Sequence, residues 1–299
     1  NKRMFQAALS EVMSEVYCSS PIVRNELINR DKPSAQANAA RNKLLDALIN
    51  QSEKETLGIE KNPPEKAIYD AIFKESGLHK KVKGKWTYQE PTTNDKLNFS
   101  PFLKEIYRYY EGSESAPRSF DDLTEILVSP PYGLKHGLLP IIYVFTFLRH
   151  QNDLALYENR IYIPYLTSEI IERFVKRPQD FTVQRFQIKG LRRSIFQEYS
   201  SALFEEASKV KDIISIARPL ARFMTELPEY TQQTKRVSSK AQEVRNAFKL
   251  AKSPQTLLFE LIPTACGYGS GKSNKGFSEV LVELLRELKY ALPNLQTEL

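Results

Sequence analysis

The sequence predicts a mainly α-helical fold in which helical bundle segments flank a small winged-helix-like α+β centre with a β-hairpin. Three observations point there. Apolar residues recur at helical spacing between start and stop signals in both halves of the chain. Residues 129–181 read as helix, hairpin, helix. Strand-like alternation of β-branched and aromatic residues is confined to a few short segments.

The 299 residues are 41% hydrophobic and 26% charged, enough for one large domain or two or three small ones with a real core. Charges interrupt every apolar run, so no window reaches the roughly 20 residues of a membrane span. This predicts a cytoplasmic location and no membrane partner. A net charge of +7 permits an acidic partner such as nucleic acid, but both signs are interspersed along the chain. Cys18 and Cys266 are far apart and lack a second Cys or a His at metal-ligand spacing. They read as two reduced, partly buried thiols, with no metal and no cofactor expected.

Composition shifts divide the chain into an N-terminal helical region (1–111), a winged-helix-like centre (119–189) and a C-terminal helical region (190–299). The Gly/Ser/Glu/Pro linker EGSESAPRS at 111–119 is the clearest boundary in the first half. The chain opens with an amphipathic helix carrying Phe5, Leu9, Val12 and Val16 on one side. It has no signal-peptide cleavage site and no initiator Met, which suggests a piece of a longer protein. Ser34 is a plausible N-cap for a second helix that buries Leu44, Leu45 and Leu48. A third starts at Pro64, presents Ile68, Ile72 and Phe73, and stops at Gly77. A fourth spans Pro101 to Tyr110.

Ser119 with Asp122 resembles a capping box for the helix 119–128. After the turn SPPYG, residues 138–150 are apolar nearly all round, which predicts a helix buried on every side, with Pro140 harmless in its first turn. LALY, Glu158-Asn159 and RIYIP form the predicted hairpin, Thr167 or Ser168 caps the next helix, and TVQRFQI after Phe181 is a candidate third strand. From 190 onward the pattern is helical. LRRSIFQEYSSALFEEASKV and DIISIARPLARFMTEL carry apolar stripes, the second kinked or broken at Pro219. Ser239 and Gln242 stand at capping-box spacing, and two helices close the chain.

Helix, turn, helix and hairpin is the order of a winged helix, whose second helix normally reads the major groove. Here that helix offers Arg149, His150 and Gln151 only at its end, so it reads as core. Contact surfaces are then expected at Asn159 and Arg160 of the wing and on the Arg173, Lys176, Arg177 face. Lys80, Lys81, Lys83 and Lys85 cluster beside Trp86 and Tyr88 in a short strand or extended loop. Basic residues interleaved with aromatics suit a nucleic-acid backbone with bases stacked on the rings. A solvated loop whose Trp86 plugs the bundle fits the same residues.

No catalytic constellation is present. Gly271, Lys272 and Ser273 end CGYGSGKSNKG as a phosphate-binding loop would, but the Gly required five residues before Gly271 is Cys266, and the preceding LLFELIPTA looks helical where a strand is needed. The segment reads as a flexible loop, with a cryptic nucleotide site as the alternative. His79, His136 and His150 are scattered, and paired carboxylates such as Glu169/Glu172 lie on helix faces or first turns.

Several phrases stand out as a set: PIVRNELINR (21–30), LGIEKNPPEKAIYDAIFKESGLH (57–79), PPYGLKHGLLPIIYVF (130–145), ALYENRIYIPYL (155–166) and LPEYTQQTKRVSSKAQEVRNAFKLAKSPQTLLFELIPTACG (227–267). Together they resemble the region downstream of the nucleotide-binding domain in large P-loop ATPases of bacterial antiphage defence islands, of the BREX-like kind. The resemblance implies that the ATPase core lies upstream and that this stretch is a non-catalytic regulatory or interaction region. It also implies as partners other domains or subunits of such a complex, or DNA. The alternative is a sequence-nonspecific nucleic-acid-binding module in its own right.

Overall fold

Eight of the eleven residues of helix α6 (Leu139–Arg149) are buried, from Leu139 through Phe147, as an all-round apolar sequence requires. Its two buried hydroxyl-bearing residues are satisfied locally. Thr146 Oγ1 donates to the Ile142 carbonyl at 2.8 Å and meets Tyr110 OH at 2.9 Å, while Tyr143 OH meets Thr124 Oγ1 at 2.8 Å. The computed structural model describes residues 2–151, 153–163, 166–186, 199, 213–268 and 276–298, and among these the fold is mainly α with two small groups of strands.

The chain forms two compact units. One is Asn1–His150 with Leu166–Val183; the other is Gln151–Tyr165 with Gln184–Leu299. The first unit opens with α1 (Lys2–Val16), which forms as its periodicity predicts but has no buried residue; Phe5 is 69% exposed. Helix α2 (Ala35–Asn50) begins at Ser34, whose Oγ accepts from the Ala37 N–H at 3.2 Å, and it buries Leu44, Leu45 and Leu48. Helix α3 (Pro64–Tyr69) runs into a π-turn, Asp70–Lys74, which keeps Ile68, Ile72 and Phe73 fully buried. Gly77 then turns the chain at φ +74°. The predicted lysine segment is a two-stranded hairpin, β1 (His79–Val82) and β2 (Lys85–Tyr88).

Helices α4 (Ser100–Glu111) and α5 (Phe120–Val128) follow, separated by a short strand β3 (Arg118–Ser119), and residues on both sides of the 111–119 linker belong to the first unit. Ser119 caps α5 through the Asp121 N–H at 3.0 Å. Helix α7 (Ser168–Lys176) is capped by Thr167, which accepts from the Ile170 N–H. TVQRFQI does contain a strand, Phe181–Arg185, which pairs antiparallel with β3 through Arg118↔Val183 and Ser119↔Thr182.

In the second unit, β4 (Leu154–Glu158) and β5 (Ile161–Ile163) form the predicted hairpin in the register Leu156↔Ile163, Tyr157↔Tyr162 and Glu158↔Ile161; with β1 to β3 before them, Phe181–Arg185 is β6. Its turn is Asn159–Arg160, one residue later than Glu158-Asn159. Helix α8 (Ile213–Glu226) contains Pro219 without being broken into two. It leads to α9 (Glu229–Gln233) and α10 (Ser239–Leu250). The cap of α10 is Ser238, not Ser239: its Oγ accepts from the Ala241 N–H, while the Gln242 side chain donates to the Lys235 and Val237 carbonyls. The segment before the Gly/Ser/Lys loop is helical, as α11 (Pro254–Thr256), a π-turn (Leu257–Leu261) and α12 (Ile262–Ala265). Helix α13 (Phe277–Glu298) closes the chain. Leu258, Ile262, Phe277 and Leu281 form the centre of this unit's core, and Tyr199 donates its hydroxyl to the Leu258 carbonyl at 2.9 Å. The rest of the stripe predicted over 191–210 lies outside the described residues.

Candidate functional site

Segment 79–89, HKKVKGKWTYQ, contains four lysines and no carboxylate. A two-residue loop, Lys83 at φ +50° and Gly84 at φ +85°, closes the hairpin, which is the left-handed pair a tight hairpin turn demands. His79 pairs with Tyr88, Lys80 with Thr87, Lys81 with Trp86 and Val82 with Lys85. Lys81, Lys83 and Lys85 are exposed and Lys80 is half-buried. Among the described residues none of the four has a carboxylate within ion-pair distance, and Glu90, next along the chain, is paired with Arg149.

The root of this hairpin is held by buried aromatic and polar contacts. His79 is 2% exposed; its Nε2 stands 2.8 Å from the Ser52 carbonyl and its Nδ1 2.9 Å from Tyr69 OH. A carbonyl only accepts, so Nε2 carries the proton. Burial lowers the imidazole pKa, which keeps the ring neutral at pH 7 and leaves Nδ1 to accept from the tyrosine. Burial, with the Asp70 and Glu55 carboxylates, pushes Tyr69 up to about 12. The His79 ring also lies 5.2 Å from Trp86 and 5.5 Å from Tyr88, and Tyr88 packs edge-on against Phe145 of α6. Tyr88 OH donates to the Leu48 carbonyl of α2.

Trp86 is therefore half-buried against His79 and is not a free platform for a base. What the hairpin offers is charge on a rigid frame. Cationic side chains of this kind suit a phosphate backbone, which positions a ligand without reading its sequence.

The other predicted contact residues are arranged differently. Arg173, Lys176 and Arg177 are exposed on or just after α7, but Lys176 is 2.7 Å from Glu172, Arg177 is 3.7 Å from Asp180, and Arg173 donates to the Glu169 carbonyl at 3.4 Å. With Glu169, Glu172 and Asp180 against three cations, this face has no net charge. Arg160 is exposed at φ +68° in the turn of the second hairpin. Gly271, Lys272 and Ser273 lie outside the described residues. Cys18 is exposed; Cys266 is buried, which pushes its thiol up to about 11. Among the described residues no group of three or more His, Cys, Asp or Glu could hold a metal ion, and no helix is long and apolar enough to cross a membrane.

The residues that sequence reasoning missed here are Tyr69 and Ser52. The capping and periodicity patterns that mark helices carry no signal for a buried histidine bridging a turn and the end of a helix; only the tertiary arrangement brings the three together. No protein family, no curated protein and no solved structure matches the chain.

Proposed function

We propose that this chain is a non-catalytic interaction region of a large P-loop ATPase of the bacterial defence type, and that it contacts DNA through the lysine hairpin 79–88. The ATPase part rests on the resemblance of the five sequence phrases. The DNA part rests on one observation: four lysines without ion-pair partners on a hairpin anchored by His79, Tyr69 and Tyr88. A hairpin with several unneutralised cations and no base-reading side chain favours sequence-independent contact with phosphates, or with an equally acidic surface of a partner subunit. Lys80 and Lys81 on β1, Lys83 in the turn and Lys85 on β2 spread this charge over both strands and the turn.

The test is duplex binding followed by fluorescence anisotropy across a salt series. Wild type is expected to bind with an affinity that falls steeply with salt. Replacing Lys80, Lys81, Lys83 and Lys85 together by Gln should weaken binding and reduce the slope of log K against log salt by up to about 4, since each lost phosphate contact contributes about 0.9. No binding at low salt, or an unchanged slope in the quadruple variant, defeats the DNA part of the proposal.

A further inference from the structure

Outside the hairpin, the first unit holds a cation that it does not neutralise. Arg41 on α2 is 8% exposed, its Nε is shut off from solvent, and among the described residues it has no hydrogen bond and no ion pair. Burial alone holds its pKa below the ordinary arginine value, and the guanidinium remains charged at neutral pH. A charge shut off from solvent in this way disfavours folding unless something pairs with it.

Arg41 lines a cavity of about 220 Å³. The wall is mixed, and Leu139, Phe174 and Val175 belong to its apolar part. Two hydroxyls also reach it, but their protons are already committed. Thr124 Oγ1 donates to the Phe120 carbonyl at 2.7 Å, so its 2.8 Å contact with Tyr143 has the tyrosine hydroxyl as donor. Arg41 is left as the strong donor inside. At the mouth lie the exposed His136 and the exposed Asp31, the latter tied to Lys135 at 3.2 Å.

These features select a ligand class. Water could hydrate Arg41 but would supply no counter-charge. A single buried cation with a carboxylate at the mouth favours a monoanion over a dianion. The apolar part of the wall favours a hydrocarbon body, and the volume suffices, since a cavity of about 150 Å³ accommodates benzene. The planar guanidinium matches a carboxylate in a two-point contact. We propose that this cavity binds a small organic monocarboxylate with an apolar body, the carboxylate seated on Arg41 and the hydrocarbon against Leu139, Phe174 and Val175.

The experiment is calorimetric titration of the whole chain at about pH 8.5 with benzoate, isovalerate and, as a dianion probe, inorganic phosphate, which is doubly charged there. Saturable binding of at least one carboxylate at one site per chain is expected, with phosphate binding at least tenfold more weakly. In Arg41→Met the carboxylate should bind at least tenfold more weakly, while circular dichroism shows a folded protein no less stable than wild type, because an apolar chain replaces an orphan charge. Should that variant not fold, Arg41→Lys decides: it keeps the charge, lacks the two-point contact, and should weaken binding severalfold. The proposal is overturned if neither carboxylate binds, if binding is unchanged in Arg41→Lys, or if phosphate binds as tightly as the carboxylates.

Discussion

The two β-hairpins share a turn and differ in nearly everything else. Both close on two residues of positive φ, Lys83–Gly84 in one and Asn159–Arg160 in the other. In the first, three of the four β1 residues are at least partly exposed and the strand carries two lysines. In the second, Leu154, Ala155, Leu156 and Tyr157 are all buried, so β4 is core on both faces. A tight turn therefore says only that two strands pair. Whether the pair becomes a surface or a core depends on whether its side chains alternate or run apolar without a break.

This contrast can be broken most severely at β4. Leu156→Ala removes a side chain that is 3% exposed and should destabilise the protein by about 2 to 5 kcal/mol in denaturant melts. The same measurement on the quadruple lysine variant should fall within about 0.5 kcal/mol of wild type, as expected for four side chains without partners, three exposed and Lys80 half-buried. Similar losses at both sites would mean that the lysine hairpin is also structural.

A smaller effect separates the hairpins by pH. His79 binds its proton less readily folded than unfolded, so it contributes stability above the ordinary imidazole value of 6.5, and that contribution is lost as pH falls from there through the lowered folded value. Denaturant midpoints measured between pH 7.5 and 4.5 should show this loss, and His79→Gln should remove that part of the pH dependence. Tyr69→Phe, which deprives Nδ1 of its donor, should cost about 1 kcal/mol at pH 7. The second hairpin, 154–163, contains no histidine to produce such a response.

The turns themselves supply the finest comparison. A Cβ at Gly84 would meet nothing within 4 Å, so Gly84→Ala tests the φ of +85° alone and should cost about 1 kcal/mol. Arg160 already bears that strain at φ +68°, and Arg160→Gly should gain about 0.5 kcal/mol. A loss at Arg160→Gly would point to a stabilising role for the arginine side chain.

Local chemistry was readable wherever a single element decides the outcome. Ser34 caps the helix it is expected to cap, and of the two candidates Thr167 and Ser168 it is Thr167 that caps α7, because an N-cap needs only its own side chain and the N–H three residues on. At Ser238 the cap lies one residue before the predicted Ser239, since adjacent serines leave the choice to the path of the chain. The apolar circumference of α6 likewise forces burial whatever surrounds it. Periodicity alone, however, does not say what covers an apolar stripe. Leu44 and Leu48 of α2 are fully buried, whereas Phe5 and Leu9 of α1 stand 69% and 50% exposed.

The candidate sites show the same division. The lysines and their spacing were legible, because charge is a property of the sequence itself, but the segment read only as a short strand or extended loop and the hairpin turn at Lys83-Gly84 came from the structure. The bridge from Ser52 through His79 to Tyr69 arises only when separate segments meet, whereas Trp86 packs on His79 within the hairpin and the α7 ion pairs join residues three and four positions apart. Arg41 is the sharpest case. It belongs to a helix of ordinary amphipathic pattern, where an arginine usually faces water, and nothing local marks it. The cavity it lines is completed by Thr124, Tyr143 and Phe174, which lie 83, 102 and 133 positions further along the chain, so only the tertiary structure could turn a routine cation into a site.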